Sequence, residues 1–323
     1  MDVEYNISYT MKQRRLLRGD LHTHTVVSDG VLKVRELAEH ARGHGLDFVA
    51  VTDHNVLYEA CAADSVPGIT LIPGMEWTLF KGHSNFLGLQ RPLCGSYIAD
   101  TPQEIRERFT LARTYGALVC VNHPCAEYAA FKTPLDELDF DCMEVWNGPM
   151  NCSNLEAIAL WQRLLVSGRR IAACAGSDYH YDALLLFIGG PTTCVWADSA
   201  SAGDIIDAVR RGRSYMVYHP KGPAIVSMTG TSPGEPKAEV GEIIRHHEGA
   251  ALEVALQGLA AGDELLVLNP NGQRSVHVMR GSGVLNLHIV IDKPGFAALM
   301  LVRNLYPSEE KLPVLLSNPV YFE

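Results

Sequence analysis

The sequence predicts an α/β architecture: a parallel sheet, closed or nearly closed, followed by a small all-β unit. Three observations predict it. Apolar strand-like runs alternate with helical periods between residues 19 and 218, the pattern of a parallel sheet with crossover helices. Clusters of His, Asp and Glu recur where those runs stop, and in barrels of this kind the reactive groups gather at the carboxyl ends of the strands. From about Lys221 the helical period disappears, and short β-rich runs alternate with turn signals. At 323 residues the chain exceeds the usual size of one domain. We therefore place one domain at 1–218 and a second, an antiparallel β-sandwich, at 219–323.

In chain order, Tyr5-Asn6-Ile7-Ser8-Tyr9 reads as a lead-in strand that runs into Lys12, Arg14, Arg15 and Arg18. Asp20-Leu21-His22-Thr23-His24-Thr25 is extended and is followed by Ser28-Asp29-Gly30. Leu32 to His44 carries apolar residues at helical spacing and stops near Gly43 and Gly45. Leu46–Val51 is a buried strand ending in Thr52-Asp53-His54-Asn55, and Ile69–Met75 is another ending in Glu76. His83-Ser84-Asn85-Phe86-Leu87 reverses the pattern, because its polar end comes first. Pro102 opens a helix to Tyr115, and Ala117–Val121 is a strand ending in Asn122-His123-Pro124. Met143–Gly148, the helix Asn154–Val166 and the strand Ile171–Ala175 follow, the last ending in Gly176-Ser177-Asp178-Tyr179-His180. Thr192–Trp196, the helix Asp204–Arg211 and Ser214–Tyr218 complete the first unit. Beyond it, Ala224–Met228, Ala251–Leu256, Glu264–Leu268, Val284–Ile291 and Phe296–Arg303 read as strands, with turns at Asn269–Gly272 and Asp292–Gly295.

On an extended segment alternate side chains share a face, so His22 and His24 point the same way. Imidazole is the commonest protein ligand for metals. Collected along the chain, the candidate ligands are His22, His24, Asp29, His54, Glu76, His83, His123, Asp178 and His180. They are too many for one ion and about right for two or three. An unpaired carboxylate buried at Glu76 would cost several kcal/mol, which favours a metal partner there. Asp29 either binds metal or caps the following helix. Asp53 and Asn55 fit a supporting role, orienting His54 or a bound water. Glu144, Trp146 and Asn147 fit packing or support rather than ligation. Lys81, Arg169 and Arg170 fit solvated surface better than a phosphate contact. His219, His246, His247, His277 and His288 fit ordinary surface or core positions.

Composition narrows the function classes. A net charge of −10 argues against a general basic face for nucleic acid. No apolar run reaches the ~20 residues that span a bilayer. The acidic start Met1-Asp2-Val3-Glu4 lacks an apolar leader. Eight cysteines occur without Cys-x-x-Cys pairs. Cys120, Cys174 and Cys194 lie in apolar runs where reduced, buried thiols are expected. A cytoplasmic protein is the expectation. The one Gly-x-Ser-x-Gly run, Gly230–Gly234, lies in the β-rich unit with no helical period after it and so is not a nucleophile elbow; no phosphate-binding Gly-x-x-x-x-Gly-Lys loop occurs, and no dinucleotide-type glycine run follows the first strand.

The ordered motifs Asp-Leu-His-Thr-His-Thr with Ser-Asp-Gly, Thr-Asp-His-Asn, Pro-Gly-Met-Glu, Asn-His-Pro and Gly-Ser-Asp-Tyr-His resemble those of the polymerase-and-histidinol-phosphatase (PHP) superfamily over residues 18 to about 217. Three further segments are similar to its carbaryl-hydrolase-type (CehA/McbA) branch: His83-Ser84-Asn85, Arg211-Gly212-Arg213-Ser214-Tyr215 and Ser317-Asn318-Pro319-Val320-Tyr321. The resemblance implies a distorted (β/α)7 barrel related to the TIM barrel, with a di- or trinuclear site. It implies that His22, His24, Glu76 and Asp178 hold one metal, that Glu76 bridges to a second held with His83 and His123, and that Asp29, His54 and His180 hold a third. The ions would be Zn²⁺, Mn²⁺, Fe²⁺ or Co²⁺. The expected reaction is phosphoester hydrolysis of a small-molecule substrate by a metal-bridging hydroxide. Asp178, His180 and Glu76 would carry the catalytic roles. Two alternatives stay open: hydrolysis of a carbamate or carboxylic ester at the same centre, and a non-catalytic metal-stabilised binding module. No nucleic acid or membrane partner is expected, and homo-oligomerisation stays open.

Overall fold

The computed structural model describes residues 14–305 and 310–323. The lead-in strand at Tyr5–Tyr9 and the basic Lys12 lie outside the described residues. The first unit consists of β1 (Arg15–Asp20), α1 (Val34–Gly43), β2 (Phe48–Val51), β3 (Thr70–Pro73), β4 (Glu76–Leu79), β5 (Gly82–Leu87) and α2 (Pro102–Thr114), then β6 (Leu118–Val121), β7 (Cys142–Asn147), α3 (Cys152–Val166), β8 (Ala172–Gly176), β9 (Thr192–Ala197), α4 (Ala202–Arg210) and β10 (Ser214–Val217).

The fold is mixed α/β, with few helices and many strands. The expected parallel sheet is parallel only in two stretches, β1–β2–β3 and β6–β7–β8. β5 runs antiparallel to both β4 and β6, and β9 runs antiparallel to both β1 and β10. For β4 and β5 the reason is connection length. β4 and β5 are joined by a hairpin turn at Phe80-Lys81, too short for the crossover that parallel neighbours need. Two isolated bridges, Thr23 to Tyr179 and His54 to Glu76, connect the stretches where ladders are absent.

Side chains from both stretches share one apolar interior, which includes Phe48, Ile72, Leu118 and Val195, with Ile205 and Val209 of α4 packed against it. The opposite faces of β6–β8 bury Val119, Val121, Met143, Val145 and Ala173 against α2 and α3. Full burial of one such Phe or Leu side chain is worth roughly 1.5–3 kcal/mol. Helix starts follow local chemistry. Thr101 accepts from the Glu104 amide at 3.2 Å ahead of Pro102, and Asn151 accepts from the Asn154 amide at 3.0 Å.

After β10 no α-helix occurs among the described residues. Ala224–Thr231, Ala251–Leu259 and Gly283–Val290 pair antiparallel. The Asn269–Gly272 turn signal closes a hairpin between Glu264–Asn269 and Gly272–Val278, and Gly295–Arg303 pairs with the first of these. Leu312–Ser317 pairs with β10. One hydrogen-bonded sheet of 11 strands therefore runs from β3 through β1 and β10 into the C-terminal strands. No helix of the described residues is long and apolar enough to cross a membrane.

Candidate metal centre

His22 and His24 follow β1 and are wholly buried. Thr23, between them, donates from Oγ1 to the Ala50 carbonyl at 2.6 Å and from its amide to Thr52 Oγ1 at 3.1 Å. These bonds tie its side of the segment to β2 and turn both imidazoles to the other face. Two motif glycines make room. A Cβ on Gly176 would lie 2.4 Å from the His22 Cβ and 2.7 Å from Glu144 Oε1, and one on Gly30 would lie 2.3 Å from the His24 carbonyl oxygen.

Glu76 is the hub. Five imidazoles face its carboxylate: His54 Nδ1 at 2.8 Å, His83 Nδ1 at 3.1 Å, His22 Nε2 at 3.3 Å, His123 Nε2 at 3.4 Å and His24 Nε2 at 3.6 Å. It is the first residue of β4, where the sequence reading puts it at the end of the preceding strand. Gly74 and Met75 break that strand in two. His83, near the start of β5, reaches the same rim because β5 runs opposite to β6. Asp178 Oδ1 lies 3.3 Å from His22 Nε2 and 3.1 Å from His24 Nε2.

Asp29, His54 and His180 stand at the rim. Both His54 Nε2 and His180 Nε2 approach Asp29 Oδ2, at 3.4 and 3.2 Å. Helix α1 begins only at Val34, so Asp29 does not cap it. The donor atoms fall into overlapping groups: His22 with His24 and Glu76, His22 with His123 and Asp178, Glu76 with His83 and His123, and His24 with Asp29, His54 and His180. All nine candidates are thus brought together, with His24 standing between the interior groups and the rim group.

Opposite charges packed in the interior set the electrostatics. Burial opposes a charge on His22, but Asp178, Glu144 and Glu76 outweigh it and hold its pKa well above the ordinary value. Burial pushes Glu76 upward, but His22, His123 and His54 hold it well below the carboxylate range. Burial likewise resists the charge on Asp178, and the pull of His22 and His24 prevails. His24 goes the other way, lowered by burial.

The residues fit divalent cations. His22 Nε2 and His123 Nδ1 are buried without a hydrogen bond, and an unsatisfied buried polar group costs about 1–3 kcal/mol. The donor set of imidazoles and carboxylates suits Zn²⁺ and its transition-metal neighbours. Backbone strain is concentrated here as well. Among the described residues the non-glycine positions with positive φ are Asn55, His123 and Asp178, at 55°, 25° and 53°, and such conformations persist where the surroundings impose them.

Glu144 and Asn147 take the supporting role the sequence reading offered them, and Asn122 and Asp20, not singled out there, join them. Glu144 accepts from His22 Nδ1 at 3.0 Å, from the His123 amide at 2.9 Å and from Asn147 Nδ2 at 3.0 Å. Asn122 donates to Glu76 Oε1 at 2.9 Å. Asp20, fully buried, accepts from the amides of His22, Ser177 and Gly189 and from the Ser177 hydroxyl. The available signal was the one applied to Glu76: a carboxylate or amide adjoining an apolar strand. Neither Asp53 nor Asn55 bonds His54 directly, which corrects the first of the two supporting roles the sequence reading offered them. Asp53 accepts from Thr25 and Ser28 and shapes the Asp29 loop, while Asn55 bonds the backbone of Thr78. Thr78 Oγ1, 2.6 Å from Nδ1, is what holds His54. Arg169 is structural, donating to the carbonyls of Leu135 and Leu138. The five C-terminal histidines join none of the ligand groups found among the described residues.

Residues 20–138 match the family model of the PHP domain. No curated protein matches the chain. Among solved structures, a two-domain protein from Bacteroides vulgatus containing a predicted PHP-like metal-dependent phosphoesterase is similar over 94% of this chain and 96% of its own, with 18% identity and a TM-score of 0.52. A protein from Bifidobacterium adolescentis assigned as a metal-dependent phosphoesterase is 17% identical, over 53% of this chain and 90% of its own, at a TM-score of 0.40. An amidohydrolase from Chromobacterium violaceum, solved with sulfate and without metal, is 18% identical over 52% of this chain and 89% of its own, also at 0.40. At these identities the likeness to the first structure is one of fold.

Proposed function

We propose, on the premise that this chain carries a PHP domain, that it is a metal-dependent hydrolase acting on a small phosphate ester. The carrying observation is the convergence of five imidazoles on the single carboxylate of Glu76, with Asp178 alongside. In this reading His22, His24, Glu76 and Asp178 hold one ion, Glu76, His83 and His123 a second, and Asp29, His54 and His180 a third. Zn²⁺, Mn²⁺, Fe²⁺ or Co²⁺ would supply Lewis acidity to the phosphoryl oxygens and lower the pKa of the attacking water. The chain's own part is positioning and proton transfer.

Glu144 takes the Nδ1 proton of His22 in a hydrogen bond and leaves Nε2 free to ligate. Asp178 has one oxygen among the imidazoles and the other 3.4 Å from Asn147 Nδ2. It is set to orient the attacking water and take its proton. His180 Nδ1 bonds the Asp178 carbonyl at 2.8 Å, which turns Nε2 to the open rim, where the leaving group is assisted through the third ion it would help hold or by His180 itself. The segments around His83, Arg211–Tyr215 and Ser317–Tyr321 support a place in the carbaryl-hydrolase-type branch. We further read the strands of 1–218 as a distorted barrel and those of 219–323 as a sandwich domain, in a cytoplasmic protein.

The test is elemental analysis of the purified chain joined to parallel assays on aryl phosphate monoesters, diesters and aryl carbamates. Phosphate ester hydrolysis that scales with bound metal and stops on chelation is the expected result. Stoichiometric metal with carbamate cleavage alone, or with no hydrolysis, overturns the reading.

A further inference from the structure

Three thiols lie together in the interior, outside every group of carboxylates and imidazoles described above. Cys120 on β6, Cys142 on β7 and Cys174 on β8 are all buried, and their sulfurs lie within 4.8 Å of one another, with Cys120 and Cys174 at 3.4 Å. Cys120 is in register with Cys142, and Cys174 is in register with Glu144, so the trio lies beside Glu144 in the sheet. Their surroundings are the apolar interior of the first unit.

We propose that Cys120, Cys142 and Cys174 form a three-sulfur site for a soft trivalent ion of the arsenite class. The reading is independent of the hydrolase proposal. A disulfide does not suit the pair in closest contact. β7 lies between β6 and β8, and two strand spacings of ~4.8 Å exceed the ~4.4–6.8 Å that a disulfide allows between Cα atoms. Zinc does not suit the trio either, because among the described residues no fourth donor joins the group and zinc sites of this kind take four.

Charge decides the rest. Three thiolates around a divalent or monovalent ion would leave net negative charge in apolar surroundings beside Glu144, which is costly. A trivalent ion leaves none. Arsenite loses three hydroxides as the three thiols lose their protons; three As–S bonds replace three As–O bonds, three waters leave, and no electron is transferred. Softness matches as well, since thiolates select soft ions. Burial resists ionisation of Cys142, but Cys120 and Cys174 donate to it and lower its thiol to about 6, while Cys120 and Cys174 themselves are held well above the ordinary thiol range and give up their protons only as waters leave arsenic.

The test uses the full chain with Cys61→Ser, Cys94→Ser, Cys125→Ser and Cys152→Ser, which leaves the trio and, outside it, only the buried Cys194. It is incubated anaerobically with arsenite under a non-thiol reductant, both folded and during refolding, then desalted. One arsenic per chain, three sulfur neighbours by X-ray absorption and a raised melting temperature are expected, with the arsenic lost on Cys142→Ser. No retained arsenic by either route overturns the proposal, as does equal retention in Cys142→Ser. Where that variant does not fold, oxygen or fewer than three sulfur neighbours around arsenic in the parent does the same.

Discussion

His22 Nδ1 lies 3.0 Å from Oε1 of Glu144, a contact between two side chains 122 residues apart and both buried. The bond sets which ring nitrogen carries the proton and leaves Nε2 facing Glu76 and Asp178. Glu144 also accepts the His123 amide, so one carboxylate positions two proposed ligands.

Glu144→Gln therefore weakens metal binding without removing any ligand. The amide of the replacement can present its NH₂ to His22 and favour the wrong tautomer. Outer partners of this kind are worth ~10–100-fold in metal affinity. Competition titration with a chelating dye reads this directly, and an unchanged affinity sinks the assignment.

Asp178→Asn lowers turnover by orders of magnitude while the fold holds. The asparagine keeps the volume and can occupy the same left-handed conformation, but it loses the charge beside His22 and His24 and the ability to take a proton. His22→Ala has the same effect through loss of a ligand. Circular dichroism and steady-state assays on the most active phosphate ester separate folding from function; wild-type rates in both variants refute the proposed roles.

Asp29→Ala removes the carboxylate between His54 and His180, whose nitrogens lie 3.4 and 3.2 Å from it. The interior groups around Glu76 do not include Asp29. Bound metal falls by one ion per chain, measured by elemental analysis, and the remaining ions stay. Loss of every ion at once would show that the rim and interior groups are not separable.

Asp20 governs a pH effect. Burial pushes its carboxyl up to about 6, against the downward pull of Ser177, Gly189 and His22. The folded state thus holds the proton more tightly than the unfolded chain. Its stabilising contribution is complete below the unfolded pKa near 3.8 and is lost as pH rises through about 6. Asp20→Asn cannot titrate, so its destabilisation relative to wild type is larger at pH 4 than at pH 7. Denaturant unfolding at the two pH values measures the gap, and a gap that does not shrink contradicts the raised pKa.

Much of this was legible from residue order alone. The runs that became β2, β6 and β8 are apolar and punctuated by polar motifs, and the chain leaves each of them into the ligand cluster. His83 shows where local pattern stops being informative. Its polar-first strand made it the exception, and only the reversal of β5 between β4 and β6 brings it to the rim. Asp53 shows the same limit from the other side. Its place beside His54 suggested a partner, yet its carboxylate bonds Thr25 and Ser28.

By itself, the sequence determined the chemistry of the donors, their order and the elements that carry them, because periodicity and motif spacing are local properties of the backbone. Tertiary structure alone decided how nine donors divide into interior and rim groups, which ring nitrogen each imidazole presents, and that three cysteines from separate strands meet. Those outcomes depend on strand direction, register and hydrogen bonds between residues far apart in the chain. Spacing along a sequence carries none of that information until the sheet is assembled.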